Sequence, residues 1–350
     1  MRLHPPVPAA LRTLMLALLL GGWFAPRVQA ESLRREWLPA DAFWVGHLDI
    51  ESVGKSVLGR SASVWSKEQP ALAAHMKRFK EQFQLHPLWD LRGLTFYGSS
   101  AAPDHAVMIA VASRRMDGLL AKLRSQPEHV LNRVHGLDIH TWTAGQLPMA
   151  GPSFAWFGEM EENDRRVLVV ADRVELLTAA VALVRSSADG PRALSTDEDA
   201  LLEANPAPGT TLYFEVGRGL PLLLGRLPDS RLARQARRVQ VMLGELDGRA
   251  QAFMRIETGN PANSRDVADV LRGGVRLLRL ALESGGIAPE LAKRVDDLRV
   301  QEKRAEVFVH FRGPAVALAA ELGAALARWP SPAEAARVSP DATNALVRKP

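Results

Sequence analysis

His47 and Asp49 stand two residues apart in "GHLDI", and Asp138 and His140 stand two apart in "HGLDIH", with His135 just before them. Residues two apart on an extended strand point to the same side, so each pair would present an imidazole together with a carboxylate. These are groups that ligate zinc and that serve acid–base catalysis. If the two strands were neighbours, His47, Asp49, Asp138 and His140 would converge, and the chemistry would be metal-dependent hydrolysis at an unfamiliar site. The plainer reading is polar residues on the wet side of half-buried strands, and it is preferred.

Arginines form the second cluster. Arg218, Arg226, Arg231, Arg234, Arg237 and Arg238 are opposed within that stretch only by Asp229. At helical spacing Arg231, Arg234 and Arg238 would line one side of a helix and could meet an anionic envelope component; a solvated helix face is the commoner meaning of such a run. Tryptophans are the third. Trp37, Trp44, Trp65, Trp89, Trp142 and Trp156 all precede residue 160, and after them only Trp329 follows. Trp44 and Trp142, on strands, could stack on a ligand ring, although core packing accounts for tryptophans equally well. Gly273 and Gly274 sit inside a helical pattern, where each costs about 1 kcal/mol relative to alanine, so close packing of another element is expected there. No HExxH, nucleophile elbow, phosphate loop or dinucleotide fingerprint occurs, which weakens the common enzyme classes. No cofactor is implied.

The elements that must position these residues follow from hydrophobic period. Extended runs are expected at Phe43–Ile50, Leu94–Ser100, His105–Ser113, Asp138–Thr143, Ser153–Gly158 and Arg166–Ala171, with helices after Glu51, at Met116–Arg124 and at Val174–Arg185. The order then recurs: a strand at Thr211–Val216, a helical stretch to about Arg237, a hairpin turning at Asp247-Gly248, a long helix capped by Asn263, a strand at Ala305–Phe311 and a helix at Pro314–Arg328. "LPADAFWVGHLDI" from Leu38 and "PAPGTTLYFEVGRG" from Pro206 open the two rounds, about 170 residues apart. The reading is a duplicated α+β unit. Each copy has a mostly antiparallel sheet with helices on one face, in the β-α-β-β-α-β order of a split βαβ or ferredoxin-like fold.

The expected division is a cleaved signal peptide at 1–30, a first unit at 31–187, a linker at 188–209, a shorter second unit at 210–329 and a disordered tail at 330–350. Arg2 and Arg12 precede the apolar run Leu14–Ala25, and Val28 and Ala30 give the small residues of a peptidase site. Removing Arg2, Arg12 and Arg27 lowers the net charge from +5 to +2 (5 − 3), so no nucleic-acid partner is indicated. There are no cysteines, hence no disulfides and no thiolate chemistry. No membrane span is expected after the leader.

"LPADAFWVGHLDI", "SVLG", "HPLWDLRGLTFYG" and "HAVMIAVA", in that order, resemble a group of bacterial exported proteins that open with a Leu-Pro-Ala-Asp-Ala strand. The resemblance implies export and a two-copy α+β fold; it brings no reaction and no site residues. The functional expectation is an exported, non-catalytic binding or structural protein of the cell envelope, with the exported metal-dependent hydrolase as the alternative.

Overall fold

The computed structural model describes residues 32–68, 70–100, 105–142, 153–160, 164–186, 209–217, 235–284 and 289–328. The signal peptide, the linker up to residue 208, the tail, Arg231 and Arg234 lie outside these residues.

Twelve strands form one sheet. They are β1 (Trp44–Asp49), β2 (Leu91–Gly98), β3 (Ala106–Ser113), β4 (Val130–Val134), β5 (Leu137–Trp142), β6 (Ser153–Glu159), β7 (Arg165–Ala171), β8 (Thr210–Val216), β9 (Ala236–Leu246), β10 (Arg249–Thr258), β11 (Arg299–Lys303) and β12 (Glu306–Pro314). Their spatial order is β11-β12-β10-β9-β8-β1-β2-β3-β7-β6-β5-β4, and every neighbouring pair is antiparallel. The fold is thus α+β on a large antiparallel sheet. The two proline-led openings supply its two middle strands, with Trp44 opposite Val216 and His47 opposite Tyr213.

Outward from that junction both halves read alike: opening strand, second, third, last, next-to-last. Within each half the opening, second and third strands are sequential neighbours, and the last strand lies between the third and the next-to-last. The helix-bearing connection from β1 to β2 ends antiparallel at the adjacent position, whereas that from β10 to β11 skips β12 and leaves the two strands parallel.

The helices are α1 (Ile50–Lys55), α2 (Val57–Glu68), α3 (Pro70–Phe83), α4 (Met116–Arg124), α5 (Val174–Ser186), α6 (Pro261–Ser284), α7 (Pro289–Val295) and α8 (Ala315–Arg328). In the first half they cover both sheet faces, not one. Val45, Tyr97, Ile109 and Val169 pack under Leu177 and Val181 of α5, joined by Trp37 and Leu38. Leu48, Leu94, Ala110 and Val170, on the other face, pack under Ile50 of α1 and Met116 and Leu119 of α4. The physical reason is β3 and β7: both are apolar at successive positions, and such strands need cover on both sides. In the second half Val216, Ile256 and Val307 pack against Val267 and Ala268 of α6, on the same side of the sheet as α1 and α4 by strand register.

Further contacts among the described residues tie the halves together besides β1–β8. Glu245, at the end of β9, accepts from the backbone N–H groups of Val57 (2.8 Å) and Leu58 (3.2 Å) and so caps α2. Helix α8 packs on α2 so closely that a Cβ at Gly323 would lie 2.5 Å from Trp65 Nε1. The hairpin at Asp247-Gly248 forms as expected, both residues having positive φ (51° and 69°), as a type I′ turn requires. The long helix begins earlier than expected. Asn260 is its cap, accepting from Asn263 N–H at 2.9 Å.

Candidate functional site

The expected metal set does not assemble. Strands β1 and β5 are separated by β2, β3, β7 and β6, which at about 4.8 Å per strand puts them some ~24 Å apart. Each residue has a local role instead. Asp49 caps α1, accepting from Ser52 N–H (2.8 Å) and Ser52 Oγ (2.6 Å). His47 Nδ1 shares a hydrogen bond with Thr95 Oγ1 (2.9 Å). His140 lies 2.9 Å, ring nitrogen to ring nitrogen, from His129, with Phe157 edge-on to it, and Asp138 is exposed. Among the described residues no group of three or more histidine or carboxylate side chains is placed to hold a metal.

The arginine stripe also changes. Arg238 is on strand β9, not on a helix, and it faces Glu215 at 3.8 Å and Glu257 at 3.7 Å. Trp142 is buried in the core, which removes it as a stacking platform. Trp44 is half-buried against the cluster under α6, and its indole N–H donates to the Ser100 carbonyl at 3.1 Å.

At the centre of the sheet, on the α5 face, lies a buried polar row not foreseen from sequence. Tyr213 donates to Glu215, and Gln240 Nε2 donates to the Tyr213 hydroxyl at 3.1 Å. Burial pushes the Glu215 carboxyl above the usual carboxylate range, against the opposing pull of the Tyr213 hydrogen bond and Arg238. Glu215 is 1% exposed, so this row is closed to substrate and organises the junction between β1, β8 and β9. Its signal in the sequence was the alternation Tyr213-x-Glu215, which reads as an ordinary half-wet strand until burial is known.

Ligand access exists elsewhere. A cavity of about 980 Å³ opens at the end of the sheet where β2 and β7 begin and β3 ends, a size suited to a small-molecule ligand. Lys80, His86, Trp89, Asp90, Arg92, Ser113, Arg114, Arg115, Asp164 and Arg165 line it. Five cations therefore face two carboxylates. Asp90 is the organising residue: buried, it accepts from His86 N–H at 2.7 Å and from Ser113 Oγ at 3.3 Å. Arg115 lies 3.7 Å from the same carboxylate, and Arg114 pairs with Asp164. Arg165 is buried and directed to Glu51 at 3.7 Å. Lys80 and Arg92 have no ion-pair partner among the described residues, so the cavity keeps uncompensated positive charge. Trp89 and His86 rings lie 5.8 Å apart on its wall. Burial holds the His86 imidazole below its usual pKa, with Lys80 and Arg115 acting in the same direction and Asp90 against it. The chemistry on offer is capture of an anion beside an aromatic ring. "HPLWDLRG" and "SRR" carried this signal in the sequence, but only β2–β3 pairing, with Leu91 opposite Ala112, brings them together.

No protein-family model matches the chain, and no curated protein matches it. Among solved structures, crystal form III of TP0453 aligns with TM-score 0.43 at 7% identity, over 85% of this chain and 99% of that one. Crystal form I aligns with TM-score 0.41 at 8% identity, over 86% and 99%. Crystal form IV gives 0.40 at 8%, over 84% and 97%. A likeness at this level assigns no residue a role.

Proposed function

We propose that the protein is an exported, non-catalytic binding protein of the cell envelope, and that its cavity at the β2–β3–β7 end takes the anionic group of its ligand. The observation that carries the reading is the cavity's charge: five cations against two carboxylates, with Lys80 and Arg92 unpaired among the described residues. An anion placed there would pair with Lys80 and Arg92, and Trp89 would offer a ring face to the adjoining part of the ligand. Export is supported by the leader's charge, apolar run and small residues. Duplication is supported by the identical outward strand order from β1 and β8. Among the described residues no helix is long and apolar enough to cross a membrane.

The test is calorimetric titration of the protein with inorganic phosphate and with sulfated and carboxylated oligosaccharides. One class should bind, and Lys80→Glu with Arg92→Glu should weaken it by about 100-fold, charged hydrogen bonds each contributing some 1.5–3 kcal/mol. Binding unchanged by both reversals, or no binding of any anion, would reject the cavity as the site.

A further inference from the structure

Helix α6 buries Ser264, Val267 and Ala268 on one side and carries a second apolar stripe on another. Val270 (55% exposed), Leu277 (67%) and Leu280 (59%) share that stripe, and Gly273 and Gly274 lie between Val270 and Leu277. A Cβ added at either glycine would meet nothing within 4 Å. The close packing that would compensate two mid-helix glycines is therefore not made by any described part of the chain. A notch without side chains, bounded by two large apolar residues, is a surface shaped for close approach of another helix.

The stripe is self-complementary. About the midpoint of Gly273 and Gly274, Val270 and Leu277 occupy mirror positions in the sequence. The flank beside the stripe reads Arg265, Asp269, Arg272, Arg276, Arg279, Glu283. Laid antiparallel on itself about Gly274, half a residue from that midpoint, Arg265 comes beside Glu283 of a second copy and Asp269 beside Arg279, each pairing occurring twice. Only Arg272 and Arg276 meet a like charge, at the wet edge of the notch. Laid parallel, every charge would face its own kind. A two-fold interface uses the same patch on both subunits, and this patch satisfies that condition in one orientation only.

We infer that the protein self-associates through α6, as an antiparallel two-fold helix pair crossing at Gly273–Gly274, with Val270 of one copy against Leu277 of the other. This surface is separate from the cavity and does not depend on it. One helix pair is a small interface, so association in the range of about 10 μM is expected.

The experiment uses the absence of cysteine in the chain. Sedimentation velocity from about 1 to 100 μM should show monomer passing to dimer. Leu277→Glu should keep the protein monomeric with an unchanged far-UV spectrum, since the side chain is exposed. Arg265→Glu should weaken the dimer, and adding Glu283→Arg should restore it. Under mild oxidation Gly274→Cys should cross-link. Leu277→Cys should not, because its own counterpart lies seven residues, about 10 Å, along the partner helix and a disulfide needs Cα atoms within about 7 Å. A monomer throughout, equal cross-linking of both cysteine variants, or a dimer unaffected by Leu277→Glu would each overturn the inference. So would a monomer that sediments with phosphatidylglycerol vesicles through Leu277, which would give the stripe to a bilayer instead.

Discussion

His140 shows how much a single side chain's meaning depends on its neighbours. It is 2% exposed, and burial first, then the His129 and Arg124 charges, lower its pKa from 6.5 to about 4. In the unfolded chain the same imidazole takes up a proton near 6.5. The unfolded state is thus favoured as pH falls through that value, and stability is lost progressively toward the folded pKa. Between pH 7 and 5 this one group should cost about 2 kcal/mol, seen as a falling melting temperature that His140→Leu flattens. His86 makes the complementary prediction for binding. An anion in the cavity opposes the desolvation that keeps this imidazole neutral, so binding should take up a proton and strengthen from pH 7 to 5.5. Titration in buffers of different ionisation enthalpy would read the proton directly; no uptake would separate His86 from the ligand.

Elements were legible where their period was strong. Strands β1, β3, β6, β7 and β8 and helices α4, α5, α6 and α8 follow the apolar pattern, and the Asp247-Gly248 turn follows its dipeptide. Strands β4 and β11 carry no such period. They are the two edges of the sheet, and "VLNRV" and "RVQEK" bear charges in place of a two-residue apolar rhythm, as edges that must not recruit another strand do. The helical spacing of the preceding arginines and leucines extends in sequence to Arg238, whereas β9 begins at Ala236. The candidate metal set failed for a related reason: strand period tells which side a residue faces but not which strands are neighbours. Capping across the halves is testable at this scale. Glu245→Ala leaves the first amide groups of α2 without their acceptor and should lower stability by about 1 kcal/mol in urea unfolding. Gly323→Val, which drives a side chain into Trp65, should lower it by about 1–3 kcal/mol.

At the scale of the whole molecule, the two expected units share one hydrogen-bonded sheet, a helix cap that crosses between the halves and helix packing that crosses between them. Unfolding should therefore be a single calorimetric transition; two resolved transitions would mean that β1–β8 pairing is too weak to couple the halves. Residues 31–187 alone should aggregate, because removing β8 strips β1 of its partner and bares a central strand edge. That pairing also sets a clock on the growing polypeptide. Trp44 waits for Val216, about 170 residues later, and at synthesis rates of about 5–20 residues per second the wait is roughly 10–30 s. For that interval the nascent first half carries an open strand, a ready target for chaperones and for neighbouring copies on the same message.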